Sequence, residues 1–410
     1  METITETEVK PSRKRVSSTA RSGRGSFFTV LADDLRDCLS IISMVPVARV
    51  REHNEFCEAI VESDGKMVIR FVGDQGVRAS VSTNVKTQEL TDRERVFYLP
   101  VKRLLSVMAK FPDDAVMDFE VENSGLRLRC LSVKILIEVP AIAEYGYDAG
   151  QRDRITSAAH CALTVDPRSL ATIVGGCRGT ELESFREYDV QCIGMWFDTV
   201  KNELQVAVAD QSKVLYAKTH ADLVGSSVND KGVLPRAAIY STTATVIQKM
   251  CNRMNVCNLT FSASHFVIEG DVISIEMPTS TANLVPFDTV LRKLPQTKAF
   301  LKSGAQAFRD GLDVLLPMIK EDQVLFHINT NADTSECMLF LHSKAAEVDI
   351  VAEVLESKDE TFDVRSLRRL TNVYKKEDVL VFSQAASGSP IYIRCEDSPF
   401  LAVIAASASV

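Results

Sequence analysis

No run of apolar residues in this sequence approaches the eighteen or so that a membrane-spanning helix requires, which excludes a helical transmembrane protein. Nor is there an apolar signal core behind Met1, so the chain is expected to be a soluble, cytoplasmic protein without a membrane partner. The ten cysteines, at 38, 57, 130, 161, 177, 192, 251, 257, 337 and 395, contain no CxxC pair. They are expected to be reduced, buried small apolar residues and not a disulfide framework. The six histidines (53, 160, 220, 265, 327, 342) never fall at metal-ligand spacing with one another or with a cysteine, and neither metal nor cofactor is expected. GxxxxGK[ST], GxSxG, HExxH and H-x-E with PCxxC are all missing, which points away from an enzyme. Gly175-Gly176-Cys177-Arg178-Gly179 follows a predicted helix and reads as its C-terminal stop. Asp33-Asp34 and Asp113-Asp114 are expected to serve a helix start and a turn.

What is present is a threefold internal repeat. Pro100 to Met108 reads as a short basic amphipathic helix followed by strands from Phe119 to Val139. Arg236 to Arg253 leads in the same way into strands at Leu259–Ile268 and Val272–Ile275. Val364 to Lys376 leads into Val379–Phe382 and Ile391–Arg394. Pro100, Pro235 and Asp363 lie at domain-length spacing, far longer than a solenoid period. An upstream helix recurs with them, at Ala32–Ile42, Asp166–Val174 and Ala305–Leu316. In the first, Leu35, Cys38, Leu39 and Ile42 make one stripe; in the second, Asp166 then Pro167 make a start signal. The pattern predicts an α+β fold in which each repeat packs two helices on antiparallel sheet.

Acid is nearly absent from the second helix of each repeat. Lys102, Arg103 and Lys110 stand in the first; Arg236, Lys249 and Arg253 in the second. Arg365, Arg368, Arg369, Lys375 and Lys376 face a single acid, Asp363, in the third. The chain as a whole carries −8, so positive charge is concentrated on three equivalent elements against the overall sign. Solvated helix faces explain any one of these segments; a polyanion meeting all three explains the set, and nucleic acid is the obvious candidate.

The expected divisions are a basic, core-poor tail over 1–25, then domains over 26–150, 158–292 and 298–408. Linkers are expected at Glu144–Ser157 and Arg292–Lys302.

Phe28 to Leu35 with Arg49, Leu99 to Leu105 with Phe111-Pro112, Cys192 to Asp198, Val206 to Asp210 and Val233 to Arg236 occur in the order and spacing of one family. Over about residues 27–407 the chain resembles the bacterial-type DNA sliding clamp, the beta subunit of the DNA polymerase III holoenzyme. The resemblance implies three DNA-clamp domains per subunit in a head-to-tail homodimeric ring, with basic helices inward around duplex DNA of any sequence. The implied role is a processivity factor in DNA replication that tethers DNA polymerase and is placed by a clamp loader.

By this resemblance Arg49, Lys102, Arg186 and Gln191 match DNA contacts; with the basic helices, Arg103, Lys110, Arg178, Arg236, Lys249, Arg253, Arg365, Arg368, Arg369, Lys375 and Lys376 complete the DNA-facing set. The family's partner-peptide pocket corresponds to Cys192, Asp210, Gln211, Ser212, Lys213, Val214, Pro286, Val290, Leu291, Asp363, Ser366, Val403, Ile404 and Ala405. The dimer interface corresponds to Leu136, Ile137, Leu312, Val314 and Leu315. Where the family has Asp-Gly-His-Arg-Leu this chain has Asp210-Gln-Ser-Lys-Val214, and Ala405 to Val410 replaces a C-terminus containing Pro-Met. That divergence suits a replicon with its own polymerase, such as a phage's. A non-ring DNA-binding or regulatory protein and an enzyme without a recognisable motif remain the alternatives.

Overall fold

The computed structural model describes residues 27–45, 55–73, 77–88, 96–122, 125–138, 159–178, 192–209, 212–279, 287, 295–318, 325–341 and 346–405. Three units of one plan follow each other. Unit 1 contains β1 (Phe27–Leu31), α1 (Ala32–Ile42), β2 (Phe56–Val61), β3 (Lys66–Val72), β4 (Arg78–Asn84), β5 (Lys86–Gln88), β6 (Val96–Pro100), α2 (Val101–Met108), β7 (Val116–Glu122), β8 (Gly125–Cys130) and β9 (Val133–Glu138). Unit 2 contains β10 (His160–Val165), α3 (Pro167–Cys177), β11 (Cys192–Asp198), β12 (Glu203–Ala209), β13 (Lys213–Ser227), β14 (Ala237–Tyr240), α4 (Ser241–Cys251), β15 (Cys257–Ser262), β16 (His265–Glu269) and β17 (Ile273–Pro278). Unit 3 contains β18 (Lys298–Gly304), α5 (Ala305–Leu315), β19 (Leu325–Asn331), β20 (Glu336–Leu341), β21 (Glu347–Asp349), β22 (Ala352–Val354), β23 (Lys358–Asp363), α6 (Val364–Thr371), β24 (Val379–Gln384), β25 (Ile391–Arg394) and β26 (Phe400–Ile404). The fold is α+β, and the described ladders are antiparallel.

The pairing repeats as well. The first strand of each unit lies against the strand after its second helix, β1 on β7, β10 on β15 and β18 on β24. Each unit then ends in a meander, β7-β8-β9, β15-β16-β17 and β24-β25-β26. Leu35, Cys38, Leu39 and Ile42 are buried on α1, as three-and-four spacing requires. Asp166 caps α3, accepting from the Ser169 backbone N–H at 2.7 Å, and its interaction with the Ser169 side chain, followed by this backbone bond, holds its carboxyl below the usual range.

The helix pairs are tied by a recurring arginine. Arg36, fifth in α1, donates to the carbonyls of Met108 and Phe111 at 3.1 and 3.0 Å, adding a side-chain donor where the C-terminus of α2 runs short of amide donors. Arg309, fifth in α5, donates to the carbonyls of Thr371 and Tyr374 at the same place on α6, at 3.4 and 3.0 Å. Unit 2 has Ala171 there and packs closer instead. A Cβ on Gly175 would lie 2.4 Å from Gln248 Nε2 of α4, and one on Gly176 would lie 2.3 Å from the Phe400 ring of unit 3.

Those two glycines correct the expected helix stop: α3 continues through them to Cys177, and they are small because the neighbours leave no room for a side chain. Three other boundaries are corrected. Residues Ala237–Tyr240 form β14 on β11, so α4 starts at Ser241 and Arg236 precedes it. Helix α6 ends at Thr371, leaving Lys375 and Lys376 beyond it. The expected linker over 292–302 is cut short by β18, which begins at Lys298. The tail 1–25 and Glu144–Ser157 lie outside the described residues.

Adjacent units join by strand addition under one rule. The last strand of unit 2, β17, pairs with the fourth strand of unit 1, β4, from Ile273 opposite Val81 to Glu276 opposite Arg78. The last strand of unit 3, β26, pairs with the fourth strand of unit 2, β13, from Lys213 opposite Ile404 to Ala217 opposite Phe400. Among the described strands, β9, last strand of unit 1, and β21, fourth strand of unit 3, are not extended by a neighbouring unit, and each borders its sheet.

Candidate nucleic-acid interface and partner site

The exposed cations of the second helices occupy matched positions. With the helices aligned on their C-caps Ala109, Asn252 and Asn372, Lys102 on α2 corresponds to Thr245 on α4 and Arg365 on α6. Four residues further on stand Ser106, Lys249 and Arg369. One stripe is thus shared by the three helices, since residues four apart share a helix face. Thr245 carries no charge, but Arg178, the C-cap of α3, donates to its hydroxyl at 3.1 Å and places a guanidinium there. Lys102, Arg103, Lys249, Arg365, Arg369, Lys375 and Lys376 are exposed, and no ion pair engages them among the described residues.

Three of the expected DNA contacts are otherwise occupied. Arg368 makes a bidentate pair with Asp313 of α5, at 2.6 and 2.8 Å, and its side chain also meets Asn372; the same pairing holds the Asp313 carboxyl below the usual range. Arg253 reaches across the boundary between units 1 and 2, with Nη1 3.1 Å from Asp37 Oδ1. Arg236 lies at a cavity on the sheet's outer face. Each reads as helical surface charge in the sequence because only the fold reveals what it meets. Arg49, Arg186 and Gln191 lie outside the described residues.

Alternation along the strands divides the expected partner pocket in two. On one face of the sheet shared by units 2 and 3, Lys213 and Ile404 are buried beside Leu215, Ala217, Ala402 and Phe400. Lys213 Nζ donates to the Ser366 hydroxyl at 2.8 Å, and Asp363 caps α6 by accepting from the Ser366 backbone N–H at 2.6 Å. Lys213, Ser366 and Ile404 are internal supports of the junction, which corrects their assignment as peptide contacts, while the half-buried Asp363 serves as the cap of α6. The opposite face presents Val214 and Val403, directly paired, next to Tyr216 and Leu401. Ala405 continues the same alternation, and its N–H donates to the Ser212 carbonyl at 2.6 Å. Cys192 shares this face but is buried.

The expected set omitted the aromatic part of that outer face. Trp196 stacks on Phe287 with ring centroids 5.8 Å apart, and Tyr216 lies against it at 6.4 Å. With Ala207 and Ala209 they form a small apolar cluster separate from the main core. Burial, followed by the charges of Glu203 and Asp198, pushes the Tyr216 hydroxyl up and keeps it neutral. A cavity of about 780 Å³ adjoins the cluster, bounded by Trp196, Tyr216 and Leu401 on one side and by Lys201, Lys218 and Arg236 on the other. The isolated Trp in Met195-Trp196-Phe197 was the available signal. Asp210, Gln211, Pro286, Val290 and Leu291 lie outside the described residues.

Of the expected dimer residues, Leu312 and Leu315 are fully buried in unit 3's own core, and Ile137 is buried in unit 1's. Leu312 and Leu315 cannot meet a partner, because α5 turns that stripe toward its own sheet. Leu136 and Val314 are exposed, at 56% and 59%.

No helix is long and apolar enough to cross a membrane, and no cluster of His, Cys, Asp or Glu able to hold a metal occurs, both among the described residues. No protein-family model and no curated protein matches the sequence. Solved structures do match. The DnaN sliding clamp (DNA polymerase III subunit beta) from Bartonella birtlesii, bound to griselimycin, superposes with a TM-score of 0.76 at 14% identity, over 94% of this chain and 100% of that one. The DNA polymerase sliding clamp from Pseudomonas aeruginosa, with ligand, gives 0.74 at 11% identity over the same shares. That from Caulobacter crescentus gives 0.74 at 12% identity, over 93% of this chain and 100% of its own. The chain has the fold of these bacterial sliding clamps.

Proposed function

We propose that this protein is a DNA sliding clamp, a non-enzymatic processivity factor whose two copies join head to tail into a six-unit ring around duplex DNA. The observation that carries the reading is the strand rule at the two internal boundaries. Last strand on fourth strand joins unit 2 to unit 1 and unit 3 to unit 2. Applied once more, it sets β9 of one copy against β21 of another, and doing so twice closes a symmetric ring that leaves neither edge open.

Burial supports the same closure. The tenth residue of α1 is Ile41, 4% exposed; the tenth of α3 is Gly176, beneath Phe400 of the next unit; the tenth of α5 is Val314, 59% exposed. Only the position at the free end lacks cover. At the other free end, a cavity of about 320 Å³ opens between α2 and β9, lined by Pro100, Arg103, Leu104, Val107 and Ile135 to Ile137. A Val314 side chain from a second copy fits its chemistry.

With the ring closed, the stripe of Lys102, Lys249, Arg365 and Arg369 meets phosphates without reading bases, and retention comes from topology. The outer face of Val214, Tyr216, Leu401 and Val403 takes a short apolar peptide of DNA polymerase or the clamp loader through a few anchors. Such a protein works in the cytoplasm, at the nucleoid. Sedimentation with low-resolution imaging tests the reading: a dimer with six lobes around a hole is expected, and a monomer or an open chain of units would overturn it.

A further inference from the structure

We propose that Lys110 forms an ion pair with Asp310 of a second copy, a charged latch that makes the subunit boundary sensitive to salt. This rests on the head-to-tail reading above. It removes Lys110 from the DNA-facing set in which the sequence places it.

The residues after the C-caps of α2 and α4 are set in the same way by the backbone. The Lys110 N–H donates to the Val107 carbonyl at 3.0 Å, and the Arg253 N–H to the Met250 carbonyl at 2.9 Å. Arg253 shows what this position does at a boundary. Its guanidinium crosses from unit 2 to α1 of unit 1, 3.1 Å from Asp37 Oδ1, 3.4 Å from the Asp37 carbonyl and 3.5 Å from the Ser40 hydroxyl.

Asp37 is the sixth residue of α1, and the sixth residue of α5 is Asp310. Asp310 is exposed and accepts from Gln306 Nε2 at 2.6 Å, which leaves its other carboxylate oxygen available. At the middle boundary the same two places hold Thr172 and Val373, neutral on one side and apolar on the other. Val373 packs against the core there. Charges of opposite sign therefore stand at the matched positions of the first boundary and of the two free ends, in the same order, cation on the second helix and acid on the first. Both free-end groups are solvated, and an exposed pair is screened by salt, whereas the middle boundary has no such charge to screen.

The test compares wild type, Lys110→Asp, Asp310→Lys and the double exchange by sedimentation equilibrium at low and high salt, with thermal unfolding as a check that each variant folds. Each single reversal sets like charges at both boundaries of the ring and is expected to raise the dimer dissociation constant about tenfold at low salt. The double exchange is expected to return it to within about threefold, and to restore retention on circular DNA. Unchanged dissociation constants in both single variants, or a double exchange no better than either, would overturn the pair while leaving the ring intact. A monomeric wild type would overturn the head-to-tail reading, and the pair with it. Restored dimer without restored DNA retention would return Lys110 to the DNA-facing set.

Discussion

Val403 and Ile404 are neighbours in one strand, yet only Val403 can meet a partner. Ile404 is buried against Lys213's face, while Val403 lies on the outer face with Leu401. Replacing Leu401 and Val403 by Asp is expected to abolish polymerase stimulation while leaving the dimer intact. Primer extension with the cognate polymerase checks this, and undiminished stimulation would move the peptide site elsewhere. The cations separate by the same logic. Lys102, Lys249, Arg365 and Arg369 are exposed, so reversing all four to Glu takes cations away from the phosphates and disturbs no packing. The logarithmic salt dependence of DNA binding is expected to flatten by roughly one for each phosphate that is no longer neutralised. A slope equal to wild type's would remove these residues from the interface.

Elements were legible where local chemistry decides them. Leu35 to Ile42 on α1, and Asp166-Pro167 as cap and first residue of α3, mark helices that the structure also has there. Context decided the rest. Ala237 to Tyr240 has the composition of a helix start but pairs with β11, and Gly175-Gly176 looks like a stop until Gln248 and Phe400 are seen against it. A single strand does not tell which of its two faces is the outer one, so Lys213 and Val214 were grouped together although they point apart. The close approach at Gly176 carries an expectation of its own. Gly176→Ala should destabilise by about 1–3 kcal/mol, because its Cβ would overlap the buried Phe400 ring at the boundary of units 2 and 3. Chemical denaturation measures this, and an unchanged midpoint would mean that the boundary yields at no cost.

At the scale of the molecule, an acidic chain carries a basic stripe on three repeated helices and, among its described strands, a β9 and a β21 that no neighbouring unit extends. Affinity alone does not account for this design, because a few exposed cations are screened at moderate salt. The proposed encirclement would, since a closed ring stays on DNA that has no end. The direct measurement is retention after loading on nicked circular DNA, challenged with high salt before and after the circle is cut. The account predicts that the protein remains on the circle and is lost once a restriction enzyme makes the DNA linear. Loss from the intact circle at a salt where sedimentation still shows the dimer would contradict it and identify an open, electrostatic binder instead.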